Sequence, residues 1–405
     1  MFNLMTKKSN PSTDILAASR LTIDGVKGIV DIVEAMYYTI TRFGGILGNS
    51  KQKRTTGITG MVFRIIRNVL GLVGVGIDAL LGKLSLIIND KESSPGREAV
   101  LAALNGVLGD YLAKKKNPLA ISMQLHIGGK KVNTESPEFL ASLQKSNGKI
   151  VILVHGSCMN DIQWHRNNHD HGKALANDFG YLPIYLYYNT GLHISENGRE
   201  FSNLLETIMG KLPQPTELII IAHSMGGLIA RSACYYGGLS EYKWVIQLRK
   251  IIFLGTPHHG APLEKSGNWI DNILEISPYS KPFSRLGKIR SAGITDMRYS
   301  NLLDEDWKRR DRFELTGDPR TPVPLPNHVQ CYTIAATVGK DSSKLGDNIV
   351  GDGLVPLNSA LGRHKKPEMN LLFPKNHQWI GRDMKHLDLL NHPVVYERIK
   401  KWVEA

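Results

Sequence analysis

Cysteine is nearly missing from this chain: three thiols, Cys158, Cys234 and Cys331, stand in 405 residues. They are too few and too scattered for a disulfide framework or a Cys-rich metal centre. Each falls in or beside an apolar pattern, as buried free thiols of a reducing compartment do. Long unbroken apolar runs are missing too. The most apolar stretch, 69–88, is interrupted by Asp78 and Lys83 and holds several glycines, which argues against a spanning helix of about 20 apolar residues and for a packed or interfacial one. Lys7 and Lys8 are followed by no apolar core of signal-peptide length before charge returns, so the expected location is cytoplasmic. There is no helix-turn-helix, RNP or zinc-finger pattern, and without one nucleic acid is not the expected partner. Internal repeats and low-complexity tracts are likewise lacking.

What is present is a globular composition with a basic surface. With 42% apolar and 21% charged residues, wholesale disorder is excluded. The length suits two or three domain-sized units, or one large domain with an extension. The formal charge of +13 is spread over short runs such as Lys51-Gln52-Lys53-Arg54, Lys114-Lys115-Lys116, Arg309-Arg310 and Lys400-Lys401. Solvated helix faces account for such runs. They also leave an anionic membrane surface open as a partner, with a peripheral location there.

The hydrophobic pattern divides the chain near residue 118. In 19–43, Val26, Ile29, Val30, Val33, Met36 and Ile40 recur at helical spacing. A second helical run covers 61–88, and a third begins at Ser94-Pro95, a cap followed by proline at the first helical position. Residues 1–118 are therefore expected to be helical. From 119 to 405 strands and helices take turns: strands at 121–127, 150–154, 182–187, 217–222, 251–254 and 329–335, and helices at 171–179, 200–209, 228–235 and 392–403. Alternation of this kind builds a mostly parallel sheet with helices on both faces, whose ligands bind at the carboxyl ends of the strands. Between about 261 and 327 the alternation lapses into sequence rich in proline, serine and arginine, with a helical candidate at 269–274. So long an interruption is expected to be a functional cap insertion.

One segment carries most of the chemistry. In Leu218-Ile219-Ile220-Ile221-Ala222-His223-Ser224-Met225-Gly226-Gly227, an apolar strand stops at a serine between small residues and continues as a helix, the shape of a nucleophile elbow. Such a turn lifts the hydroxyl clear of the sheet and aims the next backbone N–H and the helix N-terminus at the reacting oxygen. Alanine at 222 departs from the G-x-S-x-G pattern at its first glycine. A serine nucleophile also needs a base, an acid to orient that base, and oxyanion donors. Asp352, between Gly351 and Gly353 after a strand, suits the acid better than Asp341 or Asp347. His386, just before the last helix, suits the base, with His364, His377 and His392 as competitors. The backbone N–H groups of Met225 and of Ser157, in the loop after the strand at 150–154, suit the oxyanion. His155 and His223 read as structural neighbours.

In this order, Val154-His155-Gly156, Ala222 to Gly227, Leu254-Gly255-Thr256-Pro257-His258-His259-Gly260, the Gly351-Asp352-Gly353 loop and the His386 segment resemble the α/β-hydrolase superfamily. The specific similarity is to bacterial lipase and esterase-like proteins that share features with the GPI inositol-deacylase family. The resemblance spans roughly the last 290 residues and implies an α/β-hydrolase fold, hydrolysis of a carboxylic ester through an acyl-enzyme, and no cofactor. The cap and the apolar N-terminal helices point to a hydrophobic, lipid-like ester. A second function class stays open, a non-catalytic peripheral membrane or scaffold protein on the same fold. Two histidine groups are left without a role, His258 with His259, and His165 with His169 beside Asp170 and His171. Turn-stabilising hydrogen bonds and metal binding are both open to them.

Overall fold

The computed structural model describes residues 95–114, 116–117, 119–210, 217–260, 291–308, 318, 320–339 and 351–405. The helices expected at 19–43, 61–88 and 269–274, much of the cap insertion, and Asp341 and Asp347 lie outside these residues. The chain divides into two compact units, Met1–Glu98 with Asn117–Leu119, and Ala99–Lys116 with Ala120–Ala405. The second holds the sheet.

Eight strands form one sheet. They are β1 (Gln124–Ile127), β2 (Lys130–Lys131), β3 (Lys149–Val154), β4 (Leu182–Tyr187), β5 (Glu217–His223), β6 (Leu248–Leu254), β7 (Gln330–Thr337) and β8 (Gln378–Arg382), in the order β2-β1-β4-β3-β5-β6-β7-β8. Antiparallel pairing is confined to the two sides of β1, with β2 on one and β4 on the other, where Leu125 pairs with Leu186. The hairpin from β1 to β2 turns through Gly128 and Gly129 at φ 58° and 76°, a left-handed pair that glycine adopts without strain. The other pairs are parallel, with Ile152 opposite Ile220, Ile220 opposite Ile251, and Ile252 opposite Tyr332.

The central strands read as continuous apolar runs because both their faces are covered. Six helices of eight or more residues are described: α1 (Pro95–Lys114), α2 (Pro137–Lys145), α3 (His171–Phe179), α4 (Ile194–Met209), α5 (Met225–Leu239) and α6 (Pro393–Glu404). Leu175 of α3 and Val395, Ile399 and Trp402 of α6 share one core with Val151, Leu153, Ile219, Ile221 and Ile252. The alternate residues Ile150, Ile152, Leu218 and Ile220 face the other way. There α5 packs on β3 and β5, with α4 against it.

Beyond the ends expected from sequence, α4 starts at Ile194 and α5 runs from Met225 to Leu239. Helix α2 and strand β8 are additional to the expected elements. Helix α2 opens with the same signal as α1, a serine cap before proline, and Ser136 Oγ accepts from the Phe139 N–H at 3.2 Å. Strand β8 is a half-buried edge, with only Gly381 fully covered, and its pattern lacks the apolar run that marks its neighbours.

From Ala99 onward α1 belongs to the sheet-bearing unit and is buried on nearly all sides. Ala103, Leu104, Asn105, Val107 and Leu112 are almost inaccessible. Gly106 and Gly109 permit this depth: a Cβ at Gly106 would sit 2.3 Å from Cys158 Sγ, and one at Gly109 would sit 1.8 Å from Asn189 Oδ1. The described part of the insertion docks nearby. Ser291 Oγ donates to the Gly106 carbonyl at 2.6 Å, and Asp296 accepts from His193 and from the Ile194 N–H at the start of α4, both at 2.9 Å.

Candidate active site

Strand β5 ends at His223 and α5 begins at Met225, so Ser224 alone makes the turn. Its backbone sits at φ 55°, ψ −126°, a conformation that costs a non-glycine residue of order 1–3 kcal/mol and survives only where the surroundings hold it. They do. The Ser224 N–H donates to the Leu254 carbonyl at 2.8 Å, and the Ser224 carbonyl accepts from the Gly227 N–H at 3.0 Å. The small residues are sterically required. A Cβ at Gly226 would lie 2.3 Å from the Val154 carbonyl oxygen, and one at Gly227 would lie 2.0 Å from Thr256 Oγ1. Ala222 is fully buried.

Asp352 and His386 meet. Asp352 Oδ2 accepts from His386 Nδ1 at 2.7 Å, and the His386 N–H donates to the Asp352 carbonyl at 3.2 Å. Because a carboxylate only accepts, Nδ1 carries the proton in this pair, and Nε2 is the ring nitrogen left for Ser224. The second carboxylate oxygen accepts from the N–H groups of Leu354 at 2.9 Å and Val355 at 2.8 Å. The Asp352 side chain is wholly shielded from solvent and that of His386 is 5% exposed. Gly351 lets the loop close, since it has φ 52° and a Cβ there would meet the Val355 carbonyl at 1.8 Å. The competing histidines are engaged elsewhere: His377 Nδ1 bonds the Cys331 carbonyl, His392 caps α6, and His364 Nε2 lies 3.7 Å from Asp318.

Ser224 and His386 line one hollow with Gly156, Ser157, Met159, His223, Pro257, Leu354, Val355 and Leu387. Gly156 closes its floor, where a Cβ would come within 3.0 Å of Ser224 Cβ. Ser157 follows it, and the loop then turns at Cys158, whose φ is 59° and whose N–H donates to Thr190 Oγ1 at 3.1 Å. Met225 is the first residue of α5, and the N–H groups of a first helical turn have no partner within the helix.

His155 supports the site from behind, and His223 supports it from the wall of the hollow. Burial pushes His155 down to about 4. Its Nδ1 lies 2.9 Å from the Gly156 carbonyl, its ring stacks on Tyr188 at 4.4 Å, and the Tyr188 hydroxyl donates to its carbonyl at 2.8 Å. His223, held neutral well below its ordinary range by burial, donates from Nε2 to the His386 carbonyl at 3.3 Å. A further support has no local signal in the sequence: His171 Nε2 donates to the Leu389 carbonyl at 3.0 Å, while its Nδ1 accepts from His169 Nε2 at 2.8 Å. Asp170 caps α3 and accepts from the Tyr185 hydroxyl at 2.7 Å. Among the described residues no group of three or more His, Cys, Asp or Glu is arranged to hold a metal ion, and no helix is long and apolar enough to cross a membrane.

Residues 145–335 match the family model of the PGAP1-like alpha/beta domain. The GPI inositol-deacylase of Coccidioides immitis (strain RS) is 28% identical over 111 residues, 27% of this chain and 8% of that protein. The chain thus aligns with under a tenth of that relative's length. Among solved structures, the mature lipase of Bacillus licheniformis is similar over 70% of this chain and 98% of its own at 15% identity and a TM-score of 0.40. A metagenomic carboxyl esterase is similar over 76% of this chain and 92% of its own, at 14% identity and a TM-score of 0.38.

Proposed function

We propose that this chain, whose residues 145–335 form a PGAP1-like alpha/beta domain on an α/β-hydrolase sheet, is a serine hydrolase that cleaves carboxylic esters through an acyl-enzyme. The observation that carries this reading is the 2.7 Å pair of Asp352 and His386 opening onto the same hollow as the strained Ser224. Ser224 Oγ attacks the acyl carbonyl while His386 Nε2 takes its proton. Asp352 holds the ring in the correct tautomer and stabilises the imidazolium that forms. The N–H groups of Ser157 and Met225 receive the negative charge on the former carbonyl oxygen. His386 then returns the proton to the departing alkoxide. In the second half, water gives its proton to His386, attacks the acyl-enzyme, and releases the acid and Ser224. No step needs a cofactor.

The lining supports a hydrophobic acyl group, since Met159, Pro257, Leu354, Val355 and Leu387 face the hollow and apolar walls favour apolar ligands. A fluorophosphonate probe should label the folded chain and leave Ser224→Ala unlabelled. Equal labelling of both would remove the mechanism. Among p-nitrophenyl esters of increasing chain length, kcat/KM should rise beyond acetate, and a preference for acetate would reject the hydrophobic substrate while leaving the mechanism standing.

A further inference from the structure

Behind the loop that follows β6, two guanidiniums enter the protein with one carboxylate between them. Arg231 lies on α5 and is 4% exposed. Its Nη2 donates to the Val323 carbonyl, and its Nε–H has no acceptor. Arg320, 9% exposed, spends its charge on Asp318, with Nε and Nη2 donating to the two carboxylate oxygens at 2.9 and 2.8 Å, and gives Nη1 to the His258 carbonyl at 3.2 Å. Among the described residues, the thiols of Cys234 and Cys331 act on Arg231, and burial raises both, Cys331 to about 12. They stay protonated, so among the described residues no carboxylate is bonded to the Arg231 charge.

The polar atoms around Arg231 repeat the imbalance. His258 is wholly buried, with the rings of Phe253 at 4.8 Å and Phe373 at 5.5 Å, and neither of its ring nitrogens has a partner. Burial and the neighbouring Arg231 charge hold it neutral, so it offers one N–H. Thr256 Oγ1 is also without a partner and packs against Gly227. Gly227 and Arg231 are four residues apart on α5 and therefore share a face. The Arg231 Nε–H, the His258 N–H and the Thr256 hydroxyl are thus buried donors for which the described residues supply no acceptor. Buried polar groups in native proteins are paired, and buried charges are compensated.

A metal cation is excluded here by the two guanidiniums. A water could accept these hydrogen bonds but would leave the charge uncompensated. We infer that Arg231, Thr256 and His258 form an enclosed site for one small monovalent anion of the halide class, held between α5 and the loop after β6. The loop residue between Thr256 and His258 is Pro257, which lines the Ser224 hollow. The bound anion therefore braces that wall from behind.

Crystals of the full chain grown without chloride and soaked in bromide should give an anomalous peak in contact with Arg231 Nε, Thr256 Oγ1 and His258. In solution, Tm in potassium chloride should exceed Tm in potassium gluconate at equal ionic strength by about 2–4 °C, and the difference should saturate with chloride. Arg231→Met should abolish both effects, and Arg249→Met, an exposed arginine, should keep both. If Arg231→Met does not fold, the two wild-type measurements decide alone. A bromide soak that shows only water at these atoms overturns the inference. So do equal Tm values in the two salts, and so does a bromide peak without any chloride dependence, which is binding at crystal concentration only.

Discussion

His223 Nε2 lies 3.3 Å from the carbonyl oxygen of His386, so the residue before Ser224 in the chain holds the turn that carries the imidazole 163 residues later. His171 grips the other end of that turn through the Leu389 carbonyl at 3.0 Å. A neutral hydrogen bond of this kind contributes about 1 kcal/mol. Removing it in His223→Phe should lower kcat about 2–10-fold, more than it changes KM, because it chiefly loosens the base. His223→Gln, which can still donate, should recover part of the loss. Equal kcat in Phe, Gln and wild-type proteins would mean that the contact does not position His386.

Asp352→Asn tests the tautomer. An amide can donate to Nδ1 and push the imidazole proton to Nε2, where it blocks proton transfer, and in serine hydrolases that change costs on the order of 10⁴ in kcat. The two N–H groups of Leu354 and Val355 still find an oxygen at Oδ1, so the fold should persist. Ester turnover beside circular dichroism checks this. A folded Asp352→Asn protein within tenfold of wild type would show that His386 works without Asp352.

What could be read from the sequence follows the range of each interaction. The elbow at Ser224 is legible because its steric demands act across five residues, from Ala222 to Gly226. The Gly351-Asp352-Gly353 loop announces itself in the same way. The central strands are legible because β3, β5 and β6 are covered on both faces and therefore continuously apolar. Strand β8 is not, since Gln378, Trp379 and Ile380 are only half buried and the segment becomes a strand by pairing Gln378 with Thr333 of β7. The bond from His171 to Leu389, 218 residues apart, and the placement of Arg231 beside His258 have no local trace. Both depend on α3 and α5 reaching opposite faces of the finished sheet.

Acid should unfold this protein through its buried histidines. Burial lowers His155 to about 4 and His171 to about 3 from 6.5. Between 6.5 and these values the unfolded chain binds a proton that the folded chain refuses. The stability is therefore complete above pH 6.5 and is lost as pH falls below it. Each such histidine contributes a slope of up to about 1.4 kcal/mol per pH unit. Urea midpoints should be level from pH 8 to 7 and fall steeply from 6.5 to 5. His171→Gln should flatten that fall, whatever its effect at pH 8. A midpoint unchanged down to pH 5 would contradict the neutral, buried state of these rings.

Two glycines of α5 should respond to the same substitution with opposite signs. At Gly226 a methyl group would sit 2.3 Å from the Val154 carbonyl oxygen and 2.6 Å from that of His155. Both are backbone atoms of the strand and loop that carry Gly156 and Ser157, so the clash can be relieved only by moving the floor of the hollow. Gly226→Ala should cost about 1–3 kcal/mol of stability and most of the esterase activity. At Gly238 nothing lies within 4 Å of the added Cβ, and the residue is exposed and helical. There alanine only reduces the freedom of the unfolded chain and should stabilise by about 0.5 kcal/mol with activity unchanged. Urea denaturation at pH 7.5 measures both. A Gly226→Ala protein as stable and active as wild type would show that α5 can retreat from Val154, and with it that Ser224 is not held at its strained turn by close packing.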